Sequence, residues 1–327
     1  MENTPLISVV FSFRNEEEVI PELITRLHEV LSSLPIDYEL IFVNDASTDR
    51  SLPLLMEKAN ENRRVKIINM SRRFGVSECV LAGMQHANGD AIIYMDADLQ
   101  DPPEVIPQLV EKWLQGADVV HTVRTARDGE SALKLTLTRA AYKLIGVFSD
   151  VDLISEAGDF KLLSRRAVNE LLRLEERTPY LRGLASWIGF NQVVVSYHRH
   201  KRAAGETKFP LFCNIFRDMG SLRGPIGALI IGLTSFSLLP IMAFLLVGLV
   251  ICCGSLVALS ILLALTFTQS SVPVYAGLMF AVFFLSGIQI FGIGVLGIYL
   301  GRVYQDVRGR PRYIVESTIG LAKERRS

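Results

Sequence analysis

Between Arg223 and Arg302 the chain carries no Asp, Glu, Lys or Arg. A stretch that long without a charge is rare in the core helices of soluble proteins, so it constrains the fold more than any other feature. Two apolar runs fill it, at about 239–267 and 274–300, and each is long enough to cross a hydrocarbon core of ~30 Å. The break between them, Thr268-Gln-Ser-Ser-Val-Pro273, is short, polar and uncharged. The pattern predicts a transmembrane hairpin. Arg217 and Arg223 precede the first run, and Arg302, Arg308, Arg310, Arg312, Lys323, Arg325 and Arg326 follow the second. Basic flanks stay in the cytoplasm, so both ends of the hairpin are expected there and the 268–273 loop on the opposite face. The expected organisation is a cytosolic domain over 1–210, a juxtamembrane amphipathic segment over 211–238, two spans within 239–300 and a basic cytosolic tail over 301–327, in the plasma (inner) membrane. No signal-peptide pattern precedes the first expected strand, which agrees with a cytosolic N-terminal domain.

The formal net charge of zero hides a gradient. Residues 197–223 and 302–327 each carry +4, which leaves −8 for residues 1–196. The basic segments flank the apolar stretch, where they can attract anionic lipid headgroups, and nothing points to a nucleic-acid partner. The four cysteines, Cys79, Cys213, Cys252 and Cys253, lack metal-ligand spacing and read as reduced packing residues.

Over the first two hundred residues, strand-like and helix-like segments alternate, which predicts an α/β domain with a mostly parallel, Rossmann-like sheet. Strands are expected at Leu6–Phe13, Tyr38–Asn44, Val65–Met70, Ala91–Asp96, Asp118–Val123 and Gln192–Tyr197. Helices are expected at about Glu17–Leu34, Leu52–Asn62, Val76–Ala87 and Glu104–Gln115. Ligands in such sheets bind beyond the carboxyl ends of the strands. Here those ends meet Arg14-Asn-Glu16, Asp45, Ser71-Arg-Arg73 and Asp96-Ala-Asp98. Neither G-x-G-x-x-G nor G-x-x-x-x-G-K-[ST] is present, so a dinucleotide fold or a P-loop NTPase is unsupported.

The stretch Tyr94-Met-Asp-Ala-Asp-Leu-Gln-Asp-Pro-Pro-Glu104 sets four acidic residues directly after an apolar run. Strand alternation continued through it would put Asp96, Asp98 and Gln100 on one face. Two carboxylates that close repel unless a cation lies between them, and a hard oxygen site with few protein ligands suits Mg²⁺ or Mn²⁺ shared with substrate phosphates. Asp101, just before Pro102 and Pro103, reads as the N-cap of the next helix.

Taken in order, "SVVFSFRNEEE" (8–18), "FVNDASTD" (42–49), "SRRFG" (71–75), "YMDADLQDPPEVIP" (94–107), "AGDFKLLSR" (157–165), "AGETKF" (204–209), the apolar hairpin and "GRPRYIV" (309–315) resemble the polyprenyl-phosphate glycosyltransferases. These are inverting family 2 enzymes of the GT-A fold, similar to bactoprenol glucosyltransferases and dolichyl-phosphate mannose synthase. The resemblance implies that Asn15, Glu16 and Asp45 hold the base and ribose of a nucleotide sugar. It places Asp96, Asp98 and Gln100 on the metal and diphosphate, and Arg124, Lys134, Arg202 and Lys208 on phosphates of donor or acceptor. It makes Asp159, in Gly-Asp-Phe, the catalytic base. Two departures stand out: Ser12 and Arg14 replace the family's usual Pro and Tyr before Asn-Glu, and Arg73 replaces the Asn common before Phe-Gly.

The implied reaction is transfer of a sugar from a UDP-sugar, UDP-glucose being the expected one, to polyprenyl (undecaprenyl) phosphate, for use in cell-envelope glycan modification. A phosphate monoester with second pKa near 6 is already largely dianionic at pH 7, so the nucleophile needs little proton abstraction. That leaves open whether Asp159 acts as a base or positions a substrate. A processive polysaccharide synthase of the same fold is the rival enzyme, but in Tyr180-Leu-Arg-Gly-Leu-Ala-Ser-Trp187 Arg and Trp do not have the spacing of a Q-x-x-R-W motif. A non-catalytic membrane scaffold would need none of these carboxylates. Gly287, Gly292, Gly294, Gly297 and Gly301 in the second apolar run permit close helix approach within a chain or in a homo-oligomer.

Overall fold

The computed structural model describes residues 4–124, 157–176, 179–198 and 274–321, together with isolated helical positions between 244 and 257. In chain order the elements are β1 (Leu6–Phe13), α1 (Ile20–Ser32), β2 (Asp37–Asn44), α2 (Ser51–Glu61), β3 (Val65–Met70), α3 (Val76–His86) and β4 (Ala91–Asp96). A 3₁₀ turn (Pro103–Val105) leads into α4 (Ile106–Leu114), followed by β5 (Val119–Arg124), β6 (Ala157–Ser164), α5 (Arg165–Arg173), α6 (Leu181–Trp187) and β7 (Gln192–Tyr197). Beyond the apolar stretch come α7 (Val274–Val307) and β8 (Val315–Ile319).

The described strands form one sheet in the order β7-β5-β6-β4-β1-β2-β3-β8. Neighbours β1/β2, β1/β4, β2/β3 and β5/β7 are parallel, whereas β4/β6, β5/β6 and β3/β8 are antiparallel. Six of the eight described strands thus run in one direction, as expected of a mostly parallel sheet, and β6 and β8 run against them, which makes the sheet mixed. The antiparallel strands are those reached by long connections, β6 from beyond residue 124 and β8 from beyond the apolar stretch. Short βαβ crossovers dictate direction; a long connection leaves it open.

Alternation along the buried strands sends neighbouring residues to opposite faces, and both faces are covered. Val9, Phe11, Phe42 and Ile93 pack with Ile20, Leu23 and Leu27 of α1, Leu55 of α2 and Ile106 and Leu109 of α4. Val10, Ile41, Ile92 and Tyr94 pack with α3, with Val168 and Leu171 of α5 and with Leu181 and Leu184 of α6. The α3 backbone lies close on this face. A methyl group at Gly83 would sit 2.2 Å from Val10 Cγ1. On α1 the buried residues Ile20, Leu23, Leu27 and Leu31 form one stripe, the spacing that turns a helix into a sheet cover.

β8 carries the chain back into the domain. Ile67 pairs with Ile319 and Asn69 with Ser317, Ser71 N–H donates to the Ile314 carbonyl at 3.0 Å, and the Tyr313 hydroxyl donates to Gln85. Among the described residues one helix is long and apolar enough to cross a membrane, over Phe284–Gly301. Its side chains face outward, with Ile290 and Leu300 each 70% exposed. The first expected span lies mostly outside the described residues, as does the 268–273 loop.

Candidate active site

The loops after β1, β2 and β3 tie one another down at the carboxyl edge of the sheet. Asn15 and Ala46, the residues at which β1 and β2 turn off, both sit in the left-handed region at φ 54°, which Asn tolerates through local hydrogen bonding. The Asn15 backbone N–H donates to Ser47 Oγ at 3.1 Å, and its side-chain oxygen accepts from the Thr48 N–H at 2.8 Å. Glu16 is buried, and its N–H donates to Ser51 Oγ at 2.9 Å. Asp45 is buried as well, and one of its carboxylate oxygens accepts from the N–H groups of Phe74 and Gly75 at 2.6 and 3.3 Å. Asp45 thus fixes the loop that carries Arg72 and Arg73. These residues form a preorganised rim into which a ligand can fit with little rearrangement.

The end of β4 is different. Asp96 closes the strand, but the chain bends at once: Leu99 takes φ 55° and Asp98 Oδ1 accepts from the Gln100 N–H at 3.1 Å. Strand alternation therefore does not carry through to Gln100, and the expected row of three side chains on one strand face becomes a strand end plus a tight Asx turn. Asp101 is also corrected. It is fully buried and accepts a hydrogen bond from the Tyr197 hydroxyl on β7, while the 3₁₀ turn begins after Pro102 without a side-chain cap.

The acidic cluster is electrostatically strained. Burial first, then the charges of Asp159, Asp98 and Asp101, push the Asp96 carboxyl up to about 7, against the opposing pull of Arg182. Carboxylates gathered this way fit a hard divalent cation that takes few protein ligands and completes its shell with substrate oxygens. Among the described residues no group of three or more His, Cys, Asp or Glu forms a closed metal site.

Asp159 lies on β6, two residues before Lys161, which pairs with Tyr94 in the β4/β6 ladder and with His121 in the β5/β6 ladder. Residues two apart on a strand share a face, so Asp96 follows Tyr94 on β4 as Asp159 precedes Lys161 on β6. The antiparallel pairing puts the two carboxylates at the same edge. Above them stands Arg182 of α6, whose guanidinium grips Asp159 with two bonds, Nε to Oδ1 at 2.7 Å and Nη2 to Oδ2. Lys161 is fully buried beneath, its ammonium donating to the Arg182 carbonyl at 3.4 Å. Burial lowers Lys161 to about 7, opposed by the Asp159 charge. His121, buried and held by Gln192 at 2.8 Å, is lowered to about 4 by burial and by Lys161. The Tyr94 hydroxyl and His121 Nδ1 are buried without a hydrogen-bond partner among the described residues.

Of the expected site residues, the structure gathers Asn15, Glu16 and Asp45 into one rim, and brings Asp98 and Asp159 each into electrostatic range of Asp96. Arg124 ends β5 next to Tyr197 of β7. Its side chain lies outside the described residues, as do Lys134, Arg202 and Lys208 and three of the four cysteines. Cys79 is free and buried, its thiol pushed up by burial. Sequence reasoning missed Arg182 and Lys161. The signal was a charge set in an otherwise apolar run, Leu181-Arg-Gly-Leu-Ala185 and Phe160-Lys-Leu-Leu163.

Comparison with known proteins settles the family. The family model described as glycosyl transferase family 2 matches residues 8–172, from the start of β1 into α5. The chain belongs to glycosyl transferase family 2. As in other members of this GT-A class, the mixed-sheet domain is an enzyme scaffold for glycosyl transfer. An uncharacterized glycosyltransferase of Synechocystis is 41% identical over 318 residues, covering 96% of each chain. The prophage-derived bactoprenol glucosyl transferase of Shigella flexneri is 37% identical over 316 residues, covering 95% of this chain and 98% of that one. Among solved structures, glucosyl-3-phosphoglycerate synthase from Mycobacterium tuberculosis in complex with Mn²⁺, UDP-glucose and phosphoglyceric acid is 22% identical, with a TM-score of 0.41 over 61% of this glycosyltransferase and 73% of that chain. A likeness at that level carries no argument about substrate.

Proposed function

We propose that this glycosyltransferase moves a hexosyl group, with inversion, from UDP-glucose to polyprenyl phosphate at the cytoplasmic face of the plasma membrane. The observation that carries the reading is where β7 and β8 lie. They are strands of one sheet, yet the apolar helix α7 stands between them in the chain. A catalytic domain stitched to both ends of an apolar stretch is held against a bilayer, where a lipid-borne acceptor is concentrated in front of it. The full-length relation to bactoprenol glucosyl transferases supports the same acceptor and sugar.

If α7 crosses the bilayer, a chain that leaves and re-enters one sheet must cross an even number of times. The second crossing then belongs to the apolar run at 239–267. Supporting this, the Phe244 and Phe291 rings lie 6.4 Å apart, and a methyl at Gly292 would sit 1.8 Å from Phe244 Cζ. Gly292 thus lets the two runs touch. A Ser271→Cys probe is expected to label only from the side opposite the catalytic domain; labelling from the cytosolic side alone would refute the hairpin.

In the transfer, a phosphate oxygen of the lipid attacks the anomeric carbon, the new C–O bond forms on the face opposite UDP, and the bond to the β-phosphate oxygen breaks with its electron pair leaving on UDP. Asp96 and Asp98 would hold Mg²⁺ or Mn²⁺, with Gln100 beside them. When bound, such an ion supplies charge stabilisation for the departing diphosphate. Asn15, Glu16 and Asp45 would orient the nucleoside. Arg124, Lys134, Arg202 and Lys208 would meet the phosphates. Purified protein given radiolabelled UDP-glucose and polyprenyl phosphate should yield a mono-glycosyl lipid; a polymer, or no product across a panel of nucleotide sugars, would overturn the proposal.

A further inference from the structure

Resting on the reading above, the geometry deepens it at one point. A carboxylate that serves as a general base must present an oxygen to the proton it takes. Both oxygens of Asp159 accept hydrogen bonds from Arg182. A phosphate dianion, moreover, has almost no proton to give up at pH 7. The fork-to-fork pairing is the one with which carboxylates fix the plane of a guanidinium. It holds Arg182 at the carboxyl end of β4 and the amino end of β6, with about a third of the side chain exposed and within Coulombic reach of Asp96. The other cation of this cluster, Lys161, is fully buried and cannot touch a substrate. Instead it anchors the Arg182 backbone carbonyl from below.

We propose that Arg182 is a binding residue for a substrate phosphate group, and that Asp159 is the positioning residue that aims it. A guanidinium is the side chain best shaped for two-point contact with phosphate oxygens, and here its orientation is set in advance by Asp159 through its carboxylate and by Lys161 through the backbone. The phosphate can be that of the lipid acceptor or the diphosphate of the donor, since both converge on this edge of the sheet.

The test uses the full chain in detergent, with thermal melts to confirm folding, and two separate titrations: UDP in the presence of Mg²⁺, and a short-chain polyprenyl phosphate with the matching alcohol as control. Arg182→Gln should weaken one of the two phosphate ligands by roughly 10- to 100-fold, the range for hydrogen bonds to a charged group, and leave the alcohol unaffected. The ligand that weakens identifies the phosphate. Arg182→Lys should recover part of the loss. Asp159→Asn should weaken the same ligand, and the double variant should bind no worse than Arg182→Gln alone, because Asp159 acts through Arg182. A folded Arg182→Gln that binds both ligands normally, or losses that multiply in the double variant, would overturn the proposal. Should Arg182→Gln not fold, a folded Asp159→Asn with unchanged affinity for both ligands overturns it equally. Failure of the unaltered protein to bind the lipid phosphate counts against the acceptor named above, while the UDP titration still decides the role of Arg182.

Discussion

The loops after β1–β3 and the edge formed by β4, β6 and β5 line the same side of one sheet, yet they treat their polar groups in opposite ways. In the first region Asn15, Asp45, Asp49 and Ser51 satisfy one another and the backbone around them. In the second, Asp96 is raised to about 7 by burial and then by its acidic neighbours, Lys161 is buried with one long hydrogen bond, and the Tyr94 hydroxyl and His121 Nδ1 have no partner among the described residues. Satisfied networks give rigidity; unsatisfied and repelling groups cost stability and persist where chemistry requires them. On the function proposed above, recognition falls to the first region and bond-making to the second.

The largest effect that could break this division is on turnover. Asp98→Ala, in the strained region, should lower transfer by at least ~10²-fold, because it removes a hard ligand from the ion proposed to stabilise the leaving diphosphate. Steady-state assays at saturating donor check this, and full activity after EDTA treatment would erase the contrast. Next comes stability. Asp45→Ala leaves the Phe74 and Gly75 N–H groups without their acceptor and should cost about 1–3 kcal/mol, measured by urea unfolding.

Lys161→Met should move stability the other way, with a pH signature. The folded Lys161 releases its proton at about 7 against an ordinary 10.5, so between those values the unfolded chain holds the extra proton and stability rises with pH. Below about 7 both states are protonated and the cost of burying the charge is fully present. Removing the amine should therefore stabilise most near pH 6, with the gain fading toward pH 10. A gain independent of pH would show that Lys161 is not a buried, strained cation. The smallest effect is expected at Arg64→Ala. It breaks an exposed pair with Asp37 at 2.9 Å and should change stability by no more than about 0.5 kcal/mol.

Much of the first region was legible because its signals are local. The strands Leu6–Phe13 and Val65–Met70 appear with the boundaries their apolar runs predict. Helix α1 begins at Ile20 rather than Glu17 because Glu16 and Glu17 are drawn into the loop contacts with Ser51 and Asp49. In the second region local rules misled. Asp101 has the residue type and the following prolines of an N-cap, yet Tyr197, ninety-six positions away, claims its carboxylate. Arg182 enters the sequence reading only as the Arg of a rejected Q-x-x-R-W match, because its partner, twenty-three residues back, is on β6.

By itself the sequence determined what depends on neighbours along the chain. That covers the alternation of strands and helices, the carboxylates at the end of β4, and a charge-free stretch too apolar to face water. Periodicity and hydropathy are properties of windows of a few to a few tens of residues, and such windows can be read directly. Only the tertiary structure decided the direction of β6, the return of β8 beside β3, and the seating of Arg182 on Asp159. Each of those joins segments whose separation no local propensity encodes, and each was fixed by which buried faces and unpaired strand edges could be satisfied at once.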